Sequence, residues 1–283
     1  MSSVITSLQM QGETGLRPYF ADEDFVLYNT DVVPFLRELK KPLWDLTVTS
    51  PPYNIGKEYE SMQTLDSYVQ WCEAWMSLVH NTTSEHGAFW LNVGYTPLHE
   101  QAKALPLAYL LWGLSDFYFI QEVVWNYGAG VAGRKFYSPR NEKFLWFVKN
   151  ADAYVFNLDA VRDPDVKYPN QFKNGKRKVN IAGKNPTDVW NFPKVTSGRN
   201  RSSVERTPHP AQFPEKVIER VVLASSNPGD LVFDPFMGSG TTAVVANRLG
   251  RRVVGTEIRP DYCQLAVERY LLAKELRGSE LSL

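Results

Sequence analysis

Residues 231–258 read LVFDPFMGSGTTAVVANRLGRRVVGTEI, and this stretch restricts the possible folds more than any other in the chain. An apolar run, Leu231–Phe233, enters Asp234 and then a tight loop, Gly238-Ser239-Gly240. Helical spacing begins near Thr241, and a second apolar run ends on Glu257. Glycines let a backbone turn sharply and approach a ligand, and a helix N-terminus presents unpaired amides. An acid closing the next strand is placed to accept hydrogen bonds from ribose hydroxyls. The pattern predicts a βαβ unit that holds a nucleoside-containing cofactor. It is not a Walker-type loop, because no lysine follows the glycines. Gly238-x-Gly240-x-x-Ala243 also fits a dinucleotide fingerprint, so a dinucleotide-dependent oxidoreductase is an alternative. Topology weighs against it, because only about forty residues follow Gly240 and the rest of the sheet must precede it.

Elsewhere short apolar runs alternate with helical spacing, which predicts an α/β fold. Strands are expected at 25–28, 43–49, 87–93, 117–125, 144–148, 231–234 and 252–257. Helices are expected at 65–80, 98–114, 214–225, 241–249 and 260–276. The alternation points to a parallel sheet of about seven strands. Its halves are residues 1–150 and 208–283, separated by an insertion at 151–207 with weak periodicity.

That insertion is basic. Between Val166 and Arg206 ten bases face two acids, in a chain whose formal net charge is zero. Lys173, Lys176, Arg177, Lys178, Lys184, Arg199 and Arg201 are interleaved with Tyr168, Phe172, Trp190 and Phe192. A solvated face is the plain explanation of a charge run, but this interleaving suits a polyanion that offers flat bases. With 43% hydrophobic residues the chain can bury a sizeable core. Two distant cysteines, Cys72 and Cys263, argue against a disulfide framework, and no His/Cys/carboxylate cluster predicts a metal site. No signal-peptide or membrane-span pattern is present, so a cytoplasmic protein is expected.

Residues 47–54 read TVTSPPYN. Each proline fixes φ and lacks an N–H, and the residue before it is held extended. The carbonyls of Ser50 and Pro51 are therefore nearly immobile at the end of a strand. A rigid turn is the plain explanation; a fixed acceptor is the chemical one.

Taken together, Asp234-Pro235-Phe236-Met237-Gly238-Ser239-Gly240-Thr241-Thr242 resembles the S-adenosylmethionine loop of DNA amino-methyltransferases. Thr49-Ser50-Pro51-Pro52-Tyr53 resembles their catalytic motif, and His209-Pro210-Ala211-Gln212-Phe213-Pro214 the segment preceding the cofactor strand. Catalytic motif first, cofactor motif last and a variable basic segment between is the order of the β group of that family. The resemblance implies a Rossmann-like methyltransferase fold with circularly permuted motif order, its seven-stranded sheet mixed and covered by helices on both faces. It implies that a base is swung out of the duplex, because its exocyclic amine is unreachable in the stack. Ser50 and the Pro51 carbonyl would accept the two N–H bonds of that amine, Pro52 would stiffen the segment, and Tyr53 would stack on the base. The amine would then attack the sulfonium methyl in line. The resemblance places the methionine portion on Gly238, Ser239, Gly240, Thr241 and Thr242, with Asp234 at its amino group or at a water near it, and counts Phe236 among the cofactor-binding residues. Glu257 would bind the ribose, Ile258 would pack on the adenine, and Asp31 would meet the adenine amine. Asp31 equally reads as a helix N-cap, and His209 as a cofactor contact or as a cap for the helix after Pro214.

Attack at ring carbon 5 would need a cysteine nucleophile in a Pro-Cys setting, which neither cysteine has. Ser before the double proline points to cytosine N4 in this family, whereas Asn54-Ile55-Gly56 also occurs in adenine enzymes. N4-cytosine methylation of double-stranded DNA is thus the expected activity and N6-adenine methylation the alternative. The resemblance further implies a restriction-modification setting with a cognate endonuclease as genetic partner, and it admits a homodimer.

Overall fold

The computed structural model describes residues 15–57, 61–128, 132–195, 203 and 205–280, the last three by their backbone alone. In chain order the strands are β1 (Phe20–Ala21), β2 (Phe25–Asn29), β3 (Trp44–Thr49), β4 (Thr83–Val93), β5 (Tyr95–Leu98), β6 (Ala102–Pro106) and β7 (Tyr118–Asn126). They continue with β8 (Asn141–Val148), β9 (Phe172–Lys173), β10 (Lys176–Arg177), β11 (Val189–Asn191), β12 (Leu231–Asp234) and β13 (Arg252–Glu257). The α-helices are α1 (Val32–Glu38), α2 (Leu65–Thr82), α3 (Ala108–Leu111), α4 (Glu215–Ser225), α5 (Thr241–Arg248) and α6 (Pro260–Glu280).

Among the described residues one sheet has nine strands in the order β1-β2-β13-β12-β3-β4-β8-β7-β11. From β2 to β4 the neighbours run parallel, and β8 is antiparallel to both β4 and β7. Seven of these strands are the ones expected from sequence. The added two, β1 and β11, are short edge strands of two and three residues, below the length that periodicity can register.

Parallel strands must be covered on both faces, and alternation along each strand does this here. Phe25 and Leu27 of β2, with Val232 of β12, pack toward α4, α5 and α6. Val26 and Tyr28, with Phe233, pack toward α1 and α2. Trp44 stacks on Phe233, with ring centroids 4.4 Å apart. It faces opposite to Leu46 because the β3/β4 register shifts between those two residues.

Three expectations need correction. Residues 98–114 are not one helix: β5 and β6 form a hairpin, and only the single turn α3 follows. Pro106 could donate no helical hydrogen bond there, and Glu100 takes a left-handed turn at φ 62°. The expected helices omit α1, which only the N-cap reading of Asp31 signals, because it is seven residues long with a proline in its first turn. Trp190, expected among base-stacking aromatics, is buried in β11 against Trp90 and Phe144. Part of the 151–207 segment is therefore woven into the main sheet.

Candidate active site

Strands β3 and β12 are adjacent and parallel, yet β3 continues to β4 on one side and β12 to β13 on the other. A crevice opens at the carboxyl ends of strands where the order diverges in this way. The stiff segment Ser50–Tyr53 leaves β3 into that crevice, and the glycine loop leaves β12 into it. The two line a single cavity of about 590 Å³, a size suited to a small-molecule ligand.

Asp234 ties the two motifs together. Its Oδ1 accepts from Thr49 Oγ1 at 2.6 Å and from the Phe236 amide at 3.1 Å, and its Oδ2 accepts from Thr242 Oγ1 at 2.6 Å. Glu257 accepts from the amides of Gly238 and Arg259, each at 2.9 Å. Burial pushes both carboxyls above the ordinary range, and these hydrogen bonds pull only part of the way back. The loop is braced from behind by the partly buried Arg269. Its Nη1 donates to Thr241 Oγ1 at 2.7 Å and to the Ser239 carbonyl at 3.3 Å, while Nη2 donates to Glu215 at 2.8 Å.

Around Tyr53 lies a second polar group that the sequence did not disclose. The Tyr53 hydroxyl is 2.8 Å from Ser50 Oγ, 2.8 Å from Asn92 Oδ1 and 3.2 Å from Glu142 Oε2. Asn92 Nδ2 donates to the Lys143 carbonyl at 3.3 Å, which aims its oxygen at the tyrosine. Lys194 pairs with Glu142 Oε1 at 2.5 Å and lies 3.9 Å from the Tyr127 ring centroid. Although the Tyr53 side chain keeps some solvent access, its hydroxyl is enclosed. Burial and the Glu142 charge raise the phenol well above its ordinary value, so it keeps its proton.

Residues 44–268 match the N6/N4 family described as DNA methylase. The chain belongs to that family. This methylase is 62% identical to the type II methyltransferase M.ScaI of Streptomyces caespitosus, over 89% of its own length and 83% of the relative's. It is 31% identical to the DNA adenine methyltransferase YhdJ of Escherichia coli, over 95% and 90% of the two chains. Its fold superposes on the PvuII DNA methyltransferase (cytosine-N4-specific) with a TM-score of 0.68 and 19% identity, over 90% and 89% of the two chains.

The methylase brings nearly all of its sequence-predicted small-molecule site into the one cavity. Ser50, Pro51, Pro52 and Tyr53 line it, as do Asp31, His209, Asp234, Phe236, Gly238, Ser239, Thr241, Thr242, Glu257 and Ile258. Gly240 does not. Its φ of 76° is left-handed, and a Cβ there would stand 2.8 Å from Ala266 Cα. This glycine is required by the turn and by helix packing rather than by a ligand's approach. Asp31 does cap α1, accepting from the Val33 amide at 2.8 Å, while still lining the cavity. His209 does not cap α4; Glu205 accepts from the Glu215 amide at 2.9 Å, and the His209 ring packs edge-on against Tyr262. Both cysteine thiols are buried away from the cavity lining and pushed up to about 12.

The basic candidates lie elsewhere. Lys173, Lys176, Arg177 and Lys178 are exposed on or beside the β9–β10 hairpin, which turns through Asn174 and Gly175 in left-handed conformations. Lys184 is ion-paired with Asp163 at 3.0 Å, and Arg199 and Arg201 lie outside the described residues. Nothing local in the sequence marks Glu142 or Arg269, and Lys194 counts there only as one of the ten bases of 166–206. Asn92 left one signal, a lone polar residue inside the apolar run AFWLNV.

Proposed function

We propose that this DNA methyltransferase modifies the exocyclic N4 amine of a cytosine in a specific duplex sequence. The observation that carries the base assignment is Ser50, whose neutral hydroxyl stands at the cavity beside the fixed Pro51 carbonyl. The two offer a pair of acceptors to an amine with two N–H groups, held in place before any substrate arrives.

The methyl donor is S-adenosylmethionine, and the donor set fits it. Glu257 and Asp31 offer acceptors for hydroxyl and amine groups, Phe236 and Ile258 offer apolar walls, and the loop 238–242 offers amides and hydroxyls. When bound, this group supplies a methyl carried on a sulfonium. Ser50 and Pro51 orient the amine, Pro52 and the β3 strand hold them rigid, and the Tyr53 ring forms the wall against the flipped base. His209 lies against Gly238 and shapes the cofactor end.

The exposed bases of 173–178, with Lys184, Arg199 and Arg201, would contact the phosphate backbone and the base edges. On this view residues 1–150 and 208–283, together with β11 and Lys194, form the catalytic body, and the rest of 151–207 is its DNA-reading part. A cognate restriction endonuclease is the expected genetic partner. Nucleoside mass spectrometry on DNA from a methylation-free host expressing the chain tests the assignment. N4-methylcytosine supports it; N6-methyladenine retains the mechanism and overturns the base. Methylation of RNA alone would overturn DNA as the substrate.

A further inference from the structure

A count of protons around Tyr53 gives its hydroxyl a role of its own. A phenol carries one hydrogen and accepts through its lone pairs. Four atoms stand within hydrogen-bonding distance: Ser50 Oγ, Asn92 Oδ1, Glu142 Oε2 and, at 3.5 Å, the Asn92 carbonyl oxygen, which can only accept. Asn92 Oδ1 and the Glu142 carboxylate oxygen can only accept, and the Asn92 amide is already directed to the Lys143 carbonyl. Lys194 holds the other Glu142 oxygen, which leaves Oε2 turned to the tyrosine. The phenolic hydrogen therefore goes to Asn92 or Glu142, and the 2.8 Å contact between Ser50 and Tyr53 has to use the serine's hydrogen. With that hydrogen committed, Ser50 Oγ faces the cavity with lone pairs only.

We propose that Glu142 is a positioning residue which, through the Tyr53 hydroxyl, fixes Ser50 as a hydrogen-bond acceptor toward the substrate amine. The proposal rests on the amino-methyltransferase function given above. A serine hydroxyl is otherwise ambivalent, since it donates as readily as it accepts, and a donor aimed at the amine would oppose the lone pair that must form the new bond. Glu142 and Asn92 remove that freedom before substrate binds. The Glu142 charge makes the direction strongly preferred, because hydrogen bonds to ionised acceptors are stronger than neutral ones. Tyr53 thus does two things: its ring bounds the base site and its hydroxyl orients the serine.

Single-turnover methylation at saturating DNA and S-adenosylmethionine separates this role from a merely structural one. Glu142→Gln and Tyr53→Phe should each slow methyl transfer by about tenfold or more, the loss expected when a charge-assisted hydrogen bond acts on the transition state. KM for DNA and for the cofactor should stay within about twofold, since Phe keeps the ring. The double variant should be no slower than Tyr53→Phe alone, because Glu142 would act only through the missing hydroxyl. The same tenfold loss on adding Glu142→Gln to Tyr53→Phe would overturn the proposal, as would an effect confined to KM. Unaltered enzyme that binds S-adenosylmethionine yet methylates no DNA would instead overturn the function on which the proposal rests.

Discussion

Thr49 Oγ1 donates a 2.6 Å hydrogen bond to Asp234 Oδ1, joining the ends of two adjacent strands that lie 185 residues apart in the chain. The contact sits directly beneath the cavity and sets the spacing between the serine-proline segment and the glycine loop. Thr242 and the Phe236 amide hold the same carboxylate, so the distance between the two motifs is fixed by one buried side chain. Thr49→Val should lower stability by about 1–3 kcal/mol through the lost partner of a buried carboxylate. It should also slow turnover, although Thr49 does not line the cavity. Denaturant titration and kcat on the same variant check the pair.

Ser50→Ala should cut kcat by about 100-fold or more while leaving cofactor affinity within about twofold. Calorimetric titration with S-adenosylhomocysteine, set beside steady-state turnover, provides the comparison. A matched loss in both would contradict the separation of roles.

The two loop glycines should behave differently. Gly240→Ala forces a left-handed φ on an alanine and drives its methyl into Ala266, which should cost about 2–4 kcal/mol of stability. Gly238→Ala meets only the His209 ring at 3.1 Å. It should cost about 1 kcal/mol, its main effect falling on cofactor affinity. Urea midpoints separate the two.

Glu257 makes two pH dependences of opposite sign. Its folded-state pKa is raised by burial, so its contribution to stability is fully present below the unfolded value and is lost as pH rises through the folded one. Hydrogen bonds donated by cofactor hydroxyls, as proposed for Glu257, would favour the ionised form, so cofactor affinity should rise over that same window. Glu257→Gln should remove both dependences and lower affinity by about tenfold at neutral pH. Thermal melts and binding titrations from pH 4 to pH 8 would record both, as differences from the unaltered protein.

Charge reversal on the β9–β10 hairpin should weaken DNA binding without altering cofactor affinity. Each of Lys176→Glu, Arg177→Glu and Lys178→Glu should lower the slope of log affinity against log salt by about 1. Lys184→Glu places like charge beside Asp163 and should also perturb local stability, since that lysine is already ion-paired. Fluorescence anisotropy with a labelled duplex across a salt series gives the slopes.

What was legible in the sequence was local. Ser50–Tyr53 and Asp234–Thr242 each lie in one short segment whose backbone chemistry is written in its own residues. The long amphipathic helix α2 and the seven principal strands were legible for the same reason. Glu142 and Lys194 were not, because β8 and the segment after β11 reach Tyr53 only through sheet pairing. The β5–β6 hairpin was misread because Leu105, Leu107, Ala108 and Leu111 imitate helical spacing across a proline. Trp190 was assigned to the wrong surface because strand β11 is too short to show alternation.

No helix among the described residues is long and apolar enough to cross a membrane. A different consequence follows from the strand order. β12 and β13 are wedged between β3 and β2, so two strands near the middle of the sheet are synthesised after all the strands around them. Until then β2 and β3 each present an unpaired edge separated by a two-strand gap, and neither can close against the other. Exposed edges of this kind invite pairing with other chains. The nascent polypeptide must therefore wait, with Ser50–Tyr53 already synthesised, for β12 and β13 before the facing edges of β2 and β3 have partners.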